Sequence, residues 1–382
     1  MQPRCGPALS PGLTRPTSRA DQPDDRGFHL FSFFRGSFLF TFACFALGAL
    51  YAWMQTGSPA AVAEVLWIIA VLSVLEVSLS FDNAVVNATV LQDMDRVWRK
   101  RFLTWGMVIA VFGMRILFPL AIVAIAAGLG PMEAIDLSLR HPDRYEQIVS
   151  SAHVGIAGFG GAFLAMVGLS YFFDSEKEVH WIRWVEGKLS AFSNVKSAEL
   201  GVLLLALYGV SLMLDADEAL TFLVAGILGV VAFIAVEAIG TLLEMRDAAQ
   251  RAAGITVRSG MAGFLYLNVL DASFSFDGVI GAFALSNNMV IIALGLSIGA
   301  MFVRSLTIML VEKGTLSEYR YLEHGAFWAI IALAAIMLVS ARVPVPETIT
   351  GLIGAVLIAA SLAWSVRYRR RHPDHAWSDP QV

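Results

Sequence analysis

The chain has 382 residues, 57% of them hydrophobic and only 15% charged, with a formal net charge of −4. Soluble domains carry about 45–50% apolar and about 25% charged residues, so this balance describes an all-α integral membrane protein. Cys5 and Cys44 make neither a disulfide framework nor a CxxC site, and the basic residues are scattered over short stretches, which argues against thiol redox chemistry, zinc-finger binding and nucleic-acid recognition.

Residues 1–36 are rich in Pro, Arg, Ser and Asp and have no long apolar core; they read as a disordered cytoplasmic tail and not as a cleavable signal peptide. Ten apolar segments then follow near 37–54, 62–91, 102–128, 151–173, 198–214, 219–243, 260–285, 288–311, 326–341 and 348–366. Each approaches the roughly 20 residues that a bilayer core requires, giving a transmembrane domain over 37–366. The arginines at 367 and 369–371 make the tail 367–382 a basic cytoplasmic anchor. Of the 27 Lys and Arg, 22 fall in the N-terminal tail and every second connection after it, 3 fall in the alternate connections, and Arg115 and Arg304 lie within segments. That bias predicts that both termini of a multi-pass protein are cytoplasmic. The expected membrane is a bacterial inner membrane. The connection 174–197 is more than linker. Trp181, Trp184, Val185, Leu189 and Phe192 recur at helical spacing, with Arg183, Glu186 and Lys188 on the other side, which predicts an amphipathic helix lying at the cytoplasmic interface.

The second and seventh segments carry nearly the same polar spelling: Glu76-Val-Ser-Leu-Ser-Phe-Asp82-Asn83 and Asp271-Ala-Ser-Phe-Ser-Phe-Asp277-Gly278. A charge at bilayer depth costs at least about 2.5–3.5 kcal/mol and has to be compensated. Finding it twice points to a functional site. Gly106 with Arg115 on the third segment matches Gly295 with Arg304 on the eighth, at the same spacing. An odd number of crossings separates the copies, so they run in opposite directions, and the chain reads as two inverted halves, roughly 62–197 and 219–341. Many secondary transporters place a midplane substrate site between such halves.

In an unbroken helix Glu76 and Asp82 stand about 240° and about 9 Å apart. Either the helix opens near Ser78–Ser80 so that both reach one ion, or the acids form successive sites along a path. The candidate ligands are Glu76, Ser80, Asp82, Asn83, Asp271, Ser275 and Asp277, with Arg115 and Arg304 as charge partners. Glu76, Ser80, Asn83 and Asn87 share one helical stripe. All these donors are oxygens, which suits Mg²⁺, Ca²⁺ or Mn²⁺. Four carboxylates against two arginines leave −2, the charge one divalent cation neutralises, and protons could replace the metal on the return step. A satisfied buried network that fixes helix packing is the structural alternative.

Other polar residues carry less. Asp215, Asp217 and Glu218 read as an exposed acidic turn, Glu237 as a path residue, His153 as a capping histidine, and Asp174 and His180 as interfacial. The glycine run from Gly155 to Gly161 reads as a close helix crossing.

The Ser-Phe-Asp-Asn and Ser-Phe-Asp-Gly elements, each followed by an arginine-bearing segment, resemble the TerC-like integral membrane proteins, within the wider superfamily of LysE-type exporters. The stretch from Tyr171 to Trp181 looks like an uncharacterised branch of that group, and the likeness covers roughly 62–340. It implies a link to tellurium resistance and manganese efflux through paired intramembrane acids, which carries over to Asp82, Asn83 and Asp277, and to Glu76 and Asp271 beside them. This chain departs from the usual Ser-Leu-Asp-Asn with Phe81 and Phe276, and has Gly278 for the second Asn. The leading expectation is a non-enzymatic exporter of a divalent cation, Mn²⁺ by resemblance, with no resident cofactor, and with the bilayer and the ion as partners. The competing expectation is a membrane scaffold or assembly factor in a tellurite or envelope stress response, its acids structural and its docking surface the insert 174–197. An intramembrane aspartyl protease is disfavoured, because the sequence contexts expected around its two acids are absent.

Overall fold

The computed structural model describes residues 26–106, 108–174, 179–191, 197–252, 260–283, 285–286, 288–313, 319–343 and 345–371. Its regular elements are all helical. In chain order they are α1 (Arg26–Thr56), α2 (Pro59–Leu79), α3 (Phe81–Asp93), α4 (Arg96–Arg101), the π-helical segments π1 (Phe102–Gly106) and π2 (Ile109–Leu117), and α5 (Phe118–Ala127). Then come α6 (Pro131–Arg140), α7 (Pro142–Ser151), α8 (His153–Phe172), α9 (Arg183–Ala191), α10 (Ala198–Ser211), α11 (Ala216–Ala252), α12 (Met261–Phe283), α13 (Met289–Glu312), α14 (Leu322–Ser340) and α15 (Glu347–Arg371).

Eight helical stretches among the described residues are long and apolar enough to cross a bilayer, and Ala198–Ser211 and Met261–Ala272 are shorter apolar helices. The protein is therefore an all-α, multi-pass membrane protein. Helix α1 starts at Arg26, ahead of the tail boundary expected at 36, and the span within it starts at Ser32. Residues 1–25 and 372–382 lie outside the described residues. The connection 129–150 folds into α6 and α7, each opened by a proline at its first position, where a missing N–H costs nothing.

Two apolar cores form. One gathers Ala84–Leu91 of α3, Leu267 and Leu270 of α12, Val303 and Leu310 of α13, and the inner faces of α8 and α14. The other gathers Ile69 and Leu72 of α2, Val279–Phe283 of α12, Met289–Ile298 of α13, and buried residues of α5–α7. Both polar motifs fall where their elements pass from one core to the other: 76–83 between α2 and α3, and 271–278 within α12. A polar layer thus crosses the bundle.

Glycines set the closest crossings. A Cβ on Gly295 would stand 2.5 Å from Leu72 Cβ, and one on Gly299 would stand 2.5 Å from Glu76 Cβ, so this G-x-x-x-G face lets α13 lie directly on α2. Gly158 and Gly229 do the same for α8 and α11, each facing a backbone carbonyl of the other helix. The glycine run on α8 is a packing surface.

One residue of α9 departs from the expected amphipathic pattern. Glu186, expected on the polar side, is 1% exposed, while Trp184 is exposed beneath the Lys188 ammonium. The reason is hydrogen bonding. Glu186 accepts from Trp181 N, Ile182 N and Trp328 Nε1, so its carboxylate tethers the start of α9 to α14. Phe192 lies outside the described residues.

Candidate functional site

Local chemistry breaks the second apolar segment. Ser80 sits at φ −104°, ψ 15°, and separates α2 from α3. Ser78 Oγ donates to Val74 O, Ser80 Oγ to Glu76 Oε1, and Asp82 Oδ1 accepts the Asn83 N–H. Short polar side chains that bond to nearby backbone compete with the helical ladder in this way. The break is one residue deep, because Ser80 N still reaches Glu76 O and Ala84 N still reaches Ser80 O. It also creates a helix N-terminus, whose positive end favours the Asp82 carboxylate in the first turn of α3. Helix α12 has no such break and runs continuously through its own copy of the motif.

Glu76 is 2% exposed and Arg115 3%. Arg115 Nη2 forms an ion pair with Glu76 Oε1, and Nη1 donates to Ala110 O at 2.6 Å. Arg115 Nε is buried without a hydrogen-bond partner. The other Glu76 oxygen points at Gly278, where a Cβ would stand 2.9 Å away. Any side chain there would press on the carboxylate, which accounts for Gly278 at this place in the second motif. Arg304 Nε donates to Leu103 O on π1, at 2.7 Å.

A cavity of about 30 Å³ opens beside this pair, with room for about two water molecules. Ser80, Asn87, Arg115, Asp271, Arg304 and Thr307 line it. Asp271 is half-buried and within electrostatic reach of both Arg115 and Glu76. Phe102, Leu103, Ala300 and Val303 complete the wall with apolar groups, so residues from both sequence copies and both arginines meet around one small chamber of mixed lining. Asn87 and Thr307 belong to the lining without having been chosen from the sequence. Asn87 was already visible on the stripe with Ser80 and Asn83, whereas nothing in the local spelling distinguishes Thr307.

Asp82 does not join them. Its Oδ2 faces α15, 4.0 Å from where a side chain on Gly354 would begin, and Ala329 of α14 lies 3.9 Å from the same point. Asn83 is buried, and its Oδ1 has no hydrogen-bond partner. The side chains of Ser275 and Asp277 lie outside the described residues. Among the described residues, no three His, Cys, Asp or Glu come together as a set that could hold a metal ion.

The remaining polar residues sort cleanly. Asp215, Asp217 and Glu218 are exposed at the α10–α11 turn, and Glu237 is exposed on α11, away from the chamber. His153 Nε2 meets Ser340 O at 3.1 Å and ties α8 to α14. His180 Nδ1 and His324 Nε2 stand 3.7 and 3.6 Å from Glu186 Oε2, so His180 takes part in the docking of α9.

The family model described as a protein of unknown function (DUF475) matches residues 81–372. The chain belongs to the DUF475 family. The matched region opens at Phe81, at the helix break, so it takes in Asp82, Asn87, Arg115, Asp271 and Arg304 and leaves Glu76 just before it. No curated protein and no solved structure matches the chain.

Proposed function

We propose that this DUF475 protein is a membrane transporter that exports a divalent metal cation through carboxylates in its polar layer, with Mn²⁺ favoured by the TerC resemblance. The observation that supports this best is the chamber at the helix break. It brings Asp271, Ser80 and Asn87 to one place from separate elements, with Glu76 directly behind, in a layer between two apolar cores. Oxygen donors alone suit a hard cation. A broken helix in an apolar bundle is the kind of backbone that membrane proteins tolerate where it lines a polar cavity.

The same reading takes the bundle as two inverted halves making ten crossings, with α10 and α12 as the two beyond the eight long apolar stretches, and both termini in the cytoplasm of a bacterial inner membrane. Arg115 and Arg304, at matching places in the two copies, line one chamber, in keeping with a pseudo-two-fold arrangement. Asp82, lying apart towards α14 and α15, then belongs to a second station on the path.

The test is flux of Mn²⁺, Ca²⁺ and Mg²⁺ through the full chain in vesicles under an imposed pH gradient. The expected outcome is Mn²⁺ movement that Asp271→Asn abolishes. Absence of flux for all three ions, or flux indifferent to Asp271→Asn, removes the proposal.

A second reading is a membrane scaffold or assembly factor in a tellurite or envelope stress response. The Glu76–Arg115 pair favours it, because a carboxylate already matched by a buried guanidinium is how a purely structural network is completed. Under that reading, deleting 174–197 removes function, while Asp271→Asn lowers only protein abundance.

A further inference from the structure

The cation reading leaves one residue in the way. Glu76, the most buried acid beside the chamber, already holds a cation, and that cation belongs to the protein. Arg115 Nη2 occupies Glu76 Oε1, and Arg115 and Arg304 both line the space that the cargo would enter. Among the described side chains, the two guanidiniums match Glu76 and Asp271 in number, so together they offer a divalent ion no net negative charge. Among the described residues no three His, Cys, Asp or Glu side chains are poised together. In this arrangement a guanidinium takes the place at Glu76 Oε1 that a cation would need.

The geometry points to Arg115 as a tethered stand-in for the cargo, one that occupies the cation site while it is empty and must leave Glu76 before a divalent ion can bind. This inference rests on the transport reading. Three features suit such a residue. First, Arg115 is not fully satisfied where it is: among the described residues its buried Nε has no hydrogen-bond partner, and one carboxylate and one carbonyl hold the guanidinium. Second, it has a second carboxylate to go to, because Asp271 borders the same chamber and feels the charge of both Arg115 and Glu76. Third, it is carried on π2, and π-helical turns recur at functional sites because their ladder is open to local rearrangement. Arg304 is tied to Leu103 O through Nε and has no ion pair with Glu76, so the two arginines are not equivalent despite their matching sequence positions.

The consequence is competition. A divalent ion and the guanidinium exclude one another at Glu76, so each displaces the other, and return of Arg115 expels the ion. Binding and release are two positions of one side chain.

The test uses the full chain in detergent and in vesicles, with Mn²⁺ alone as the probe. In titration calorimetry Arg115→Gln is expected to bind Mn²⁺ about tenfold or more tighter than the wild type, and to release it more slowly in vesicle exchange. Arg115→Lys, which retains a tethered cation, is expected to stay near wild-type affinity. Arg115→Gln that folds and binds no tighter than the wild type overturns the inference while leaving transport standing. If Arg115→Gln does not fold, the pair Glu76→Gln and Glu76→Gln/Arg115→Gln decides. Glu76→Gln frees Arg115 to cover Asp271 and abolishes Mn²⁺ binding, and the double substitution restores weak binding at Asp271. A double variant that binds no better than the single one overturns the inference. A wild type that binds none of Mn²⁺, Ca²⁺ or Mg²⁺ removes the transport reading itself, and this inference with it.

Discussion

Glu186 of α9 and Trp328 of α14, 142 positions apart, meet at 3.0 Å, the indole N–H donating to a carboxylate sealed from solvent. The contact makes the insert between α8 and α10 a docked element of the bundle. A buried acid that loses a donor costs about 1–3 kcal/mol. Trp328→Phe keeps the ring and removes the N–H, so it is expected to loosen α9 without unfolding the bundle. Limited trypsin digestion should then cut at Arg183 or Lys188 several-fold faster than in the wild type. Equal cleavage rates would mean that the insert is held by other contacts.

The α2–α13 crossing gives a paired test. Gly299→Ala forces a methyl group against Glu76 Cβ and Cγ, both 2.5 Å from the built position, and the Ser73 carbonyl lies 2.9 Å away. The helices must separate, disturbing Glu76 as well; overpacking of this sort costs about 1–3 kcal/mol. Gly201→Ala on α10 meets nothing within 4 Å, and in a helix interior it is expected to add about 0.5–1 kcal/mol. Thermal melts in detergent should therefore move in opposite directions, and a tolerated Gly299→Ala would contradict the close crossing.

The membrane class and the helices were legible because apolar length is a direct requirement of the bilayer. An opening near Ser78–Ser80 was one of two alternatives that the offset of about 240° between Glu76 and Asp82 left open, and the helix does break at Ser80 without bringing the two acids together. The burial of Glu186 on α9 was not legible. Helical spacing assigns Glu186 to a polar face, but its carboxylate is satisfied by Trp328, a partner no local pattern reveals. The separation of Asp82 from Glu76 follows the offset of about 240° that helical geometry already predicts, because the break at Ser80 keeps the ladder bonds on either side of it. Thr307 reaches the chamber because α13 packs against α3 and π2, which again is a tertiary event.

Asn83 is buried with an oxygen that accepts nothing. In an inert core that oxygen would cost about 1–3 kcal/mol and would be better replaced by carbon. Asn83→Leu, which keeps the branched shape and removes the unpaired oxygen, is therefore expected to raise the melting temperature while lowering Mn²⁺ flux, the pattern of a polar group kept for work and not for folding. A variant both less stable and fully active would mean that Asn83 serves packing alone.

Glu76 and Arg115 should behave as a unit. Removing one partner of a buried ion pair leaves an uncompensated charge and costs about 3–5 kcal/mol, whereas replacing both removes the pair and its desolvation together. Glu76→Gln and Arg115→Gln are each expected to lower stability by that amount, with the double variant less destabilised than the sum of the two. The coupling from this cycle, measured by denaturant unfolding in detergent, should reach about 2–3 kcal/mol, within the range for directly interacting buried groups. Additive effects would show that the two side chains are held independently, and would remove the ion pair as the element that closes the chamber.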